Sequence, residues 1–101
     1  MTDHQLTVTV AKDHADLIPV FFQNRQKEIL TLRAALAAGD FEQLRQLGHR
    51  MKGVGTSYGF APVSDIGKRV ENGARAGDKT AIDACIGEYA DYLSKVQVVY
   101  E

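Results

Sequence analysis

Phe41-Glu42-Gln43-Leu44-Arg45-Gln46-Leu47-Gly48-His49-Arg50-Met51-Lys52-Gly53-Val54-Gly55 is the stretch that decides how this chain folds. Its apolar residues fall at Phe41, Leu44, Leu47 or Gly48, and Met51, three and four apart, as on an amphipathic helix. His49 lies off that stripe. Its neighbours one turn away are Arg45, Gln46, Lys52 and Gly53, which are polar, cationic or without a side chain. The imidazole is therefore expected on the wet face, open to another protein. Gly53 and Gly55 each cost a helix interior about 1 kcal/mol relative to alanine, so something other than helix stability selects them.

The same period extends outward in both directions. Ile18, Phe22, Arg25, Ile29, Leu32 and Leu36 step by threes and fours, with only Arg25 breaking the apolar series. Val63, Ile66, Val70 and Ala74 share a third face, and Ile82, Cys85 or Ile86, Tyr89, Leu93 and Val96 a fourth. Gly39, Gly59 and Gly77 end segments, while Asp13 or Asp16, Asp40, and Asp78 or Thr80 are expected N-caps. Pro19 is tolerated in a first turn. Leu6 to Val10 alternates weakly and could be extended, but is too short to make a sheet alone. The β-branched tail from Val96 to Tyr100 suggests that the last helix ends early. Four helical segments with short connections favour an all-α fold, an antiparallel up-down four-helix bundle with a short N-terminal extension. A single domain over residues 1–101, with its core at about 16–96, is expected.

Composition narrows the function classes. The chain has 101 residues, 45% hydrophobic and 25% charged, with a formal net charge of −1. That near-neutral balance gives no general reason to bind nucleic acid. No apolar run approaches the roughly 20 residues that cross a bilayer, and the first residues lack the basic and apolar regions of a secretion signal. A cytoplasmic protein away from membrane is expected. The single Cys85 falls on an apolar face and reads as a small core residue.

Several candidate chemistries fail on spacing. His4 and His14 have no metal-ligand spacing with each other or with Cys85, so no metal is expected. Gly53-Val54-Gly55 followed by Gly59 fits neither a Walker loop nor a dinucleotide turn. Thr56-Ser57 belongs to no nucleophile elbow. Tyr58 and Phe60 are expected to anchor the end of the second helix in the core, and Gly55 to serve packing.

The run from His49 to Phe60 resembles the signature of histidine phosphotransfer (HPt) domains: a His, a Lys three later, a Gly directly after it, and another Gly six further on. His49, Lys52, Gly53 and Gly59 occupy those positions. It is similar, too, to the phosphotransfer domain of chemotaxis histidine kinases. The resemblance extends to the Gly39-Asp40 break, to Glu71 in the third segment and to the order of helices.

The resemblance implies a phosphoprotein of two-component signalling, a phosphorelay carrier that takes a phosphoryl group on His49. The residue types suit that work. An imidazole ordinarily titrates at about pH 6.5, so in near-neutral solution it offers a lone pair. Lys52 would neutralise phosphoryl oxygens, and Gly53 would let a partner's surface approach. Glu71 either orients the imidazole through its other ring nitrogen or belongs with Lys68 and Arg69 to a solvated face. Arg45, Gln46, Arg50, Gly53 and Thr56 are candidates for the docking surface. The implied partners are response-regulator receiver domains and a sensor or hybrid histidine kinase. No cofactor is expected on this chain; Mg²⁺ would sit on the receiver. With no nucleotide motif, a carrier without kinase activity of its own is expected. Met1 and the four segments lean toward a free-standing protein.

Two other classes compete. A pure interaction module could use the same bundle without phosphate. A phosphatase would need Gln46 or Thr56 to position water, and neither has a defined partner in the sequence.

Overall fold

The computed structural model describes residues 6–101, and two of its three helix-to-helix corners fall where glycine and aspartate stand together. The elements are strand β1 (Thr7–Val10), a 3-10 turn at Lys12–His14, helices α1 (Leu17–Ala38), α2 (Phe41–Tyr58), α3 (Ala61–Ala76) and α4 (Lys79–Lys95), and strand β2 (Gln97–Tyr100). His4 lies outside the described residues.

Two of the three corners between helices are made by one device. Gly39 takes a left-handed φ of 67° and donates its N–H to the Ala35 and Leu36 carbonyls. Asp40 then caps α2, its carboxylate accepting from the Gln43 N–H at 3.0 Å. Gly77 and Asp78 repeat this before α4, with Asp78 accepting from the Ala81 N–H at 3.0 Å. The left-handed turn is nearly free for glycine, and the carboxylate satisfies an N–H that has no partner inside the helix. Gly59, at φ 81°, ends α2, and Pro62 in the first turn of α3 suits the start of that helix. Asp16 does not follow suit. It precedes α1 with no side-chain cap bond, and the 3-10 turn leads the chain into that helix instead.

The bundle closes as expected, each helix packing on the next in chain order and α4 returning to α1. Leu32, Leu44, Met51, Phe60, Val63, Val70, Ile82, Ile86 and Tyr89 form its fully buried centre. Cys85 is buried as a core residue, and burial pushes its thiol up. Arg25, the break in the first stripe, is largely buried. Its Nε donates to Glu28 Oε1 at 3.0 Å, and the Tyr89 hydroxyl donates to the same oxygen at 2.6 Å. A polar link between α1 and α4 thus replaces one apolar contact, with every buried polar group in it paired.

Leu6 to Val10 makes no sheet alone, as expected, but the tail supplies a partner: the two end segments form a parallel ribbon in which Thr7 pairs with Gln97 and Val10 with Tyr100. Val8 and Val10 point into the core while Thr7 and Thr9 face out. The core face of α1 is centred on Phe21 rather than Phe22, because Phe21 stacks on Phe60 with ring centroids 4.5 Å apart. Tyr58 does not anchor the core. It is 39% exposed and covers Phe21 from outside at 4.8 Å, whereas Phe60 is buried.

Candidate functional site

Two glycines set the distance between α2 and α3. A Cβ added to Gly48 would stand 2.6 Å from the Glu71 backbone nitrogen and 2.7 Å from the Gly67 carbonyl oxygen. No real side chain tolerates such contacts, so the helices can approach this closely only with hydrogen at both positions. Gly55 extends the seam, its missing side chain leaving room for Ser64 and Phe60 as the packing reading anticipated. Ser64 crosses the seam as well, donating its hydroxyl to the Lys52 carbonyl at 2.6 Å.

The close approach brings Glu71 of α3 under His49 of α2. Glu71 is 3% exposed, the one charged residue of the buried set among the described residues. It is therefore no member of a solvated face, although Lys68 and Arg69 beside it are exposed. Its Oε2 lies 3.2 Å from His49 Nδ1, and its Oε1 accepts from Lys52 Nζ at 3.3 Å. Arg75, one turn along α3, donates to Oε2 at 3.1 Å. Burial pulls the Glu71 carboxyl upward. The Lys52 bond and charge, the Arg75 charge and the His49 bond outweigh it and hold the carboxyl below the usual carboxylate value.

That charge state assigns the His49 ring. An ionised carboxylate can only accept, so Nδ1 carries the hydrogen and donates it. In the neutral ring, Nε2 then keeps the lone pair. The His49 side chain is 65% exposed, so this second nitrogen belongs to an open face. The arrangement is an exposed imidazole with one ring nitrogen held by a buried carboxylate and an ammonium on the same carboxylate.

The remaining candidates lie around it. Gly53 is exposed, and a Cβ there would meet nothing within 4 Å. Arg50 is exposed. Arg45 pairs with Glu42 through Nε at 3.1 Å and a terminal nitrogen at 2.7 Å, and the Gln46 amide nitrogen donates to Glu42 at 3.0 Å. With Ser64 donating to the Lys52 carbonyl, the Thr56 hydroxyl has one hydrogen for either that carbonyl, at 3.1 Å, or the Ser64 oxygen, at 3.0 Å. Gln46 and Thr56 thus already have partners along the helix, which weakens either as a water-positioning group. Gly59 contributes through the backbone, as the left-handed end of α2. A cleft of about 480 Å³ lined by Thr7, Thr9, Gly59, Pro62 and Asp65 lies beneath β1 and does not include His49.

Sequence reasoning missed Arg75, Gly48 and Gly67 as parts of the site. An Arg four residues after Glu71 on one helix was a readable signal. So were Gly48 and Gly67, glycines inside helical runs, which mark close backbone approach.

Among the described residues, no group of His, Cys, Asp and Glu is placed to hold a metal ion, and no helix is long and apolar enough to cross a membrane. The family model described as Hpt domain matches residues 16–98. Comparisons with curated proteins and with solved structures gave no match.

Proposed function

Because this chain belongs to the Hpt domain family, we propose that it works in a phosphorelay by carrying a phosphoryl group on His49 Nε2, exchanging it with the aspartate of receiver domains. The observation that carries the reading is the buried Glu71 on Nδ1 of an exposed imidazole.

In the transfer, the Nε2 lone pair forms a bond to phosphorus as the bond from phosphorus to the aspartyl oxygen breaks. The electron pair of that bond leaves with the carboxylate. The proton stays on Nδ1, so the ring becomes cationic, and the Glu71 carboxylate stabilises that charge. Lys52 neutralises the phosphoryl oxygens. Mg²⁺ belongs to the receiver, where it offsets charge on the moving group. The chain acts as a carrier rather than a kinase, since it supplies a positioned acceptor and takes both donor and metal from its partner. The face holding Arg45, Gln46, Arg50, Gly53 and Thr56 is the docking surface, and the open space at Gly53 lets the receiver reach the imidazole. A sensor or hybrid kinase stands upstream in the relay, in the cytoplasm.

Incubation with phosphorylated receiver domains tests this. Acid-labile label should appear on the chain and be lost in His49→Gln, which keeps the fold because the side chain is exposed. Receiver binding without label on His49 would make the bundle an interaction module instead.

A further inference from the structure

We propose that Arg75 is the standing counter-ion of Glu71, which frees Lys52 to attend the phosphoryl group; this rests on His49 being the acceptor. Three donors share one buried carboxylate. Arg75 and His49 Nδ1 both reach Oε2, at 3.1 and 3.2 Å, while Lys52 reaches Oε1 at 3.3 Å. The phosphoryl group arrives at Nε2, the ring nitrogen turned away from Glu71. An ammonium that moves to the incoming oxygens loosens its hold on Oε1. With Lys52 as the sole cation, that motion would leave the buried carboxylate without a counter-charge in the interval before the bond to phosphorus makes the ring cationic, a costly state. Arg75 removes the conflict. Its guanidinium is always charged, and it keeps Oε2 paired while Lys52 moves.

The plain alternative is an i,i+4 pair on a helix surface. Such pairs contribute little when both partners are in water. Here Arg75 is 57% exposed but the Glu71 side chain only 4%. The carboxylate is out of water, and its oxygen is the one that orients His49. Arg75 is accordingly a positioning residue, acting on the reaction through Glu71 and Lys52.

The test is a double-mutant cycle on the full chain. Arg75→Ala should lower the maximal transfer rate from a phosphorylated receiver about tenfold, leave receiver affinity within about twofold, and be largely rescued by Arg75→Lys. In a Glu71→Gln background the same substitution should change the rate less than about twofold, because no carboxylate charge remains to hold Lys52. A second readout needs no transfer: ¹⁵N relaxation of the Lys52 ammonium in the free protein. Arg75→Ala should raise its order parameter, since Lys52 becomes the sole cation on Glu71. Additive rate losses, an affinity loss in place of a rate loss, or unchanged Lys52 motion would each overturn the proposal. A wild type that takes up no label refutes the acceptor reading, and Lys52 relaxation then decides the counter-ion relation by itself.

Discussion

Gly48 and Gly67 occupy each other's missing side-chain space: a Cβ on either would lie 2.7 Å from the carbonyl oxygen of the other. Glu71, one turn beyond Gly67, owes its reach to His49 to this crossing. Helix propensity favours Gly48→Ala by about 1 kcal/mol, but the clash is with backbone, which cannot rotate away. The variant should lose about 1–3 kcal/mol of stability. It should also lengthen the His49–Glu71 contact, read from the imidazole ¹⁵N shifts. An Ala variant as stable as the parent, with an unchanged imidazole, would show that the seam has slack.

Gly53 is the opposite case, since a side chain there enters open space. Gly53→Ala should stabilise the protein by up to about 1 kcal/mol in chemical denaturation. Gly53→Leu should fold as well but transfer more slowly from a phosphorylated receiver, because its side chain stands on the approach to His49. Normal transfer by the leucine variant would remove Gly53 from the docking surface.

Lys52→Ala separates charge stabilisation from docking. The maximal transfer rate should fall about tenfold or more, with a smaller change in receiver affinity, because the charge it meets develops during transfer. Weakened affinity with an unchanged maximal rate would make Lys52 a contact residue only.

Acid stability reports on Glu71. Its carboxyl is lower in the folded protein than the ordinary value of 4.5. A lowered carboxyl contributes stability that is complete above the unfolded value and is lost as pH falls through the folded one. The wild type should therefore exceed Glu71→Gln by about 1–3 kcal/mol near neutrality, and the gap should narrow once the pH drops below about 4.5. Glu42 and Glu88 are lowered too, each first by its arginine partner, but both proteins share them and the difference cancels their effect. A gap that stays constant into acid would mean the ionised carboxylate contributes nothing special.

What could be read from the sequence follows from range. Helix stripes, the Gly-Asp corners and the Lys and Gly after His49 are local patterns, and all four helices appear within a residue or two of their expected limits. The pairing of β1 with β2 is not local. Each strand is four residues long, and neither shows that the other lies beside it. Whether Phe21 or Phe22 faces inward turns on one step of helix rotation, fixed by Phe60 from a different helix. Glu71 stood open between two roles because its burial depends on glycines in two helices. The matched signature named the residues, and the helix crossing supplied the geometry that joins them.

The ribbon has a consequence for how the molecule opens. Helix hairpins join neighbours along the chain and close with little loop entropy, whereas β1 and β2 meet only after the whole bundle has brought the two ends together. The ladder thus depends on the bundle. Amides of Val8 and Val10 should exchange with solvent sooner than those of Leu44 or Val70, although all four side chains are buried. Opened in this way, the chain would expose two valines at one end and leave the crossing of Gly48 with Gly67 closed, so that fraying at the termini and order at His49 are separate events.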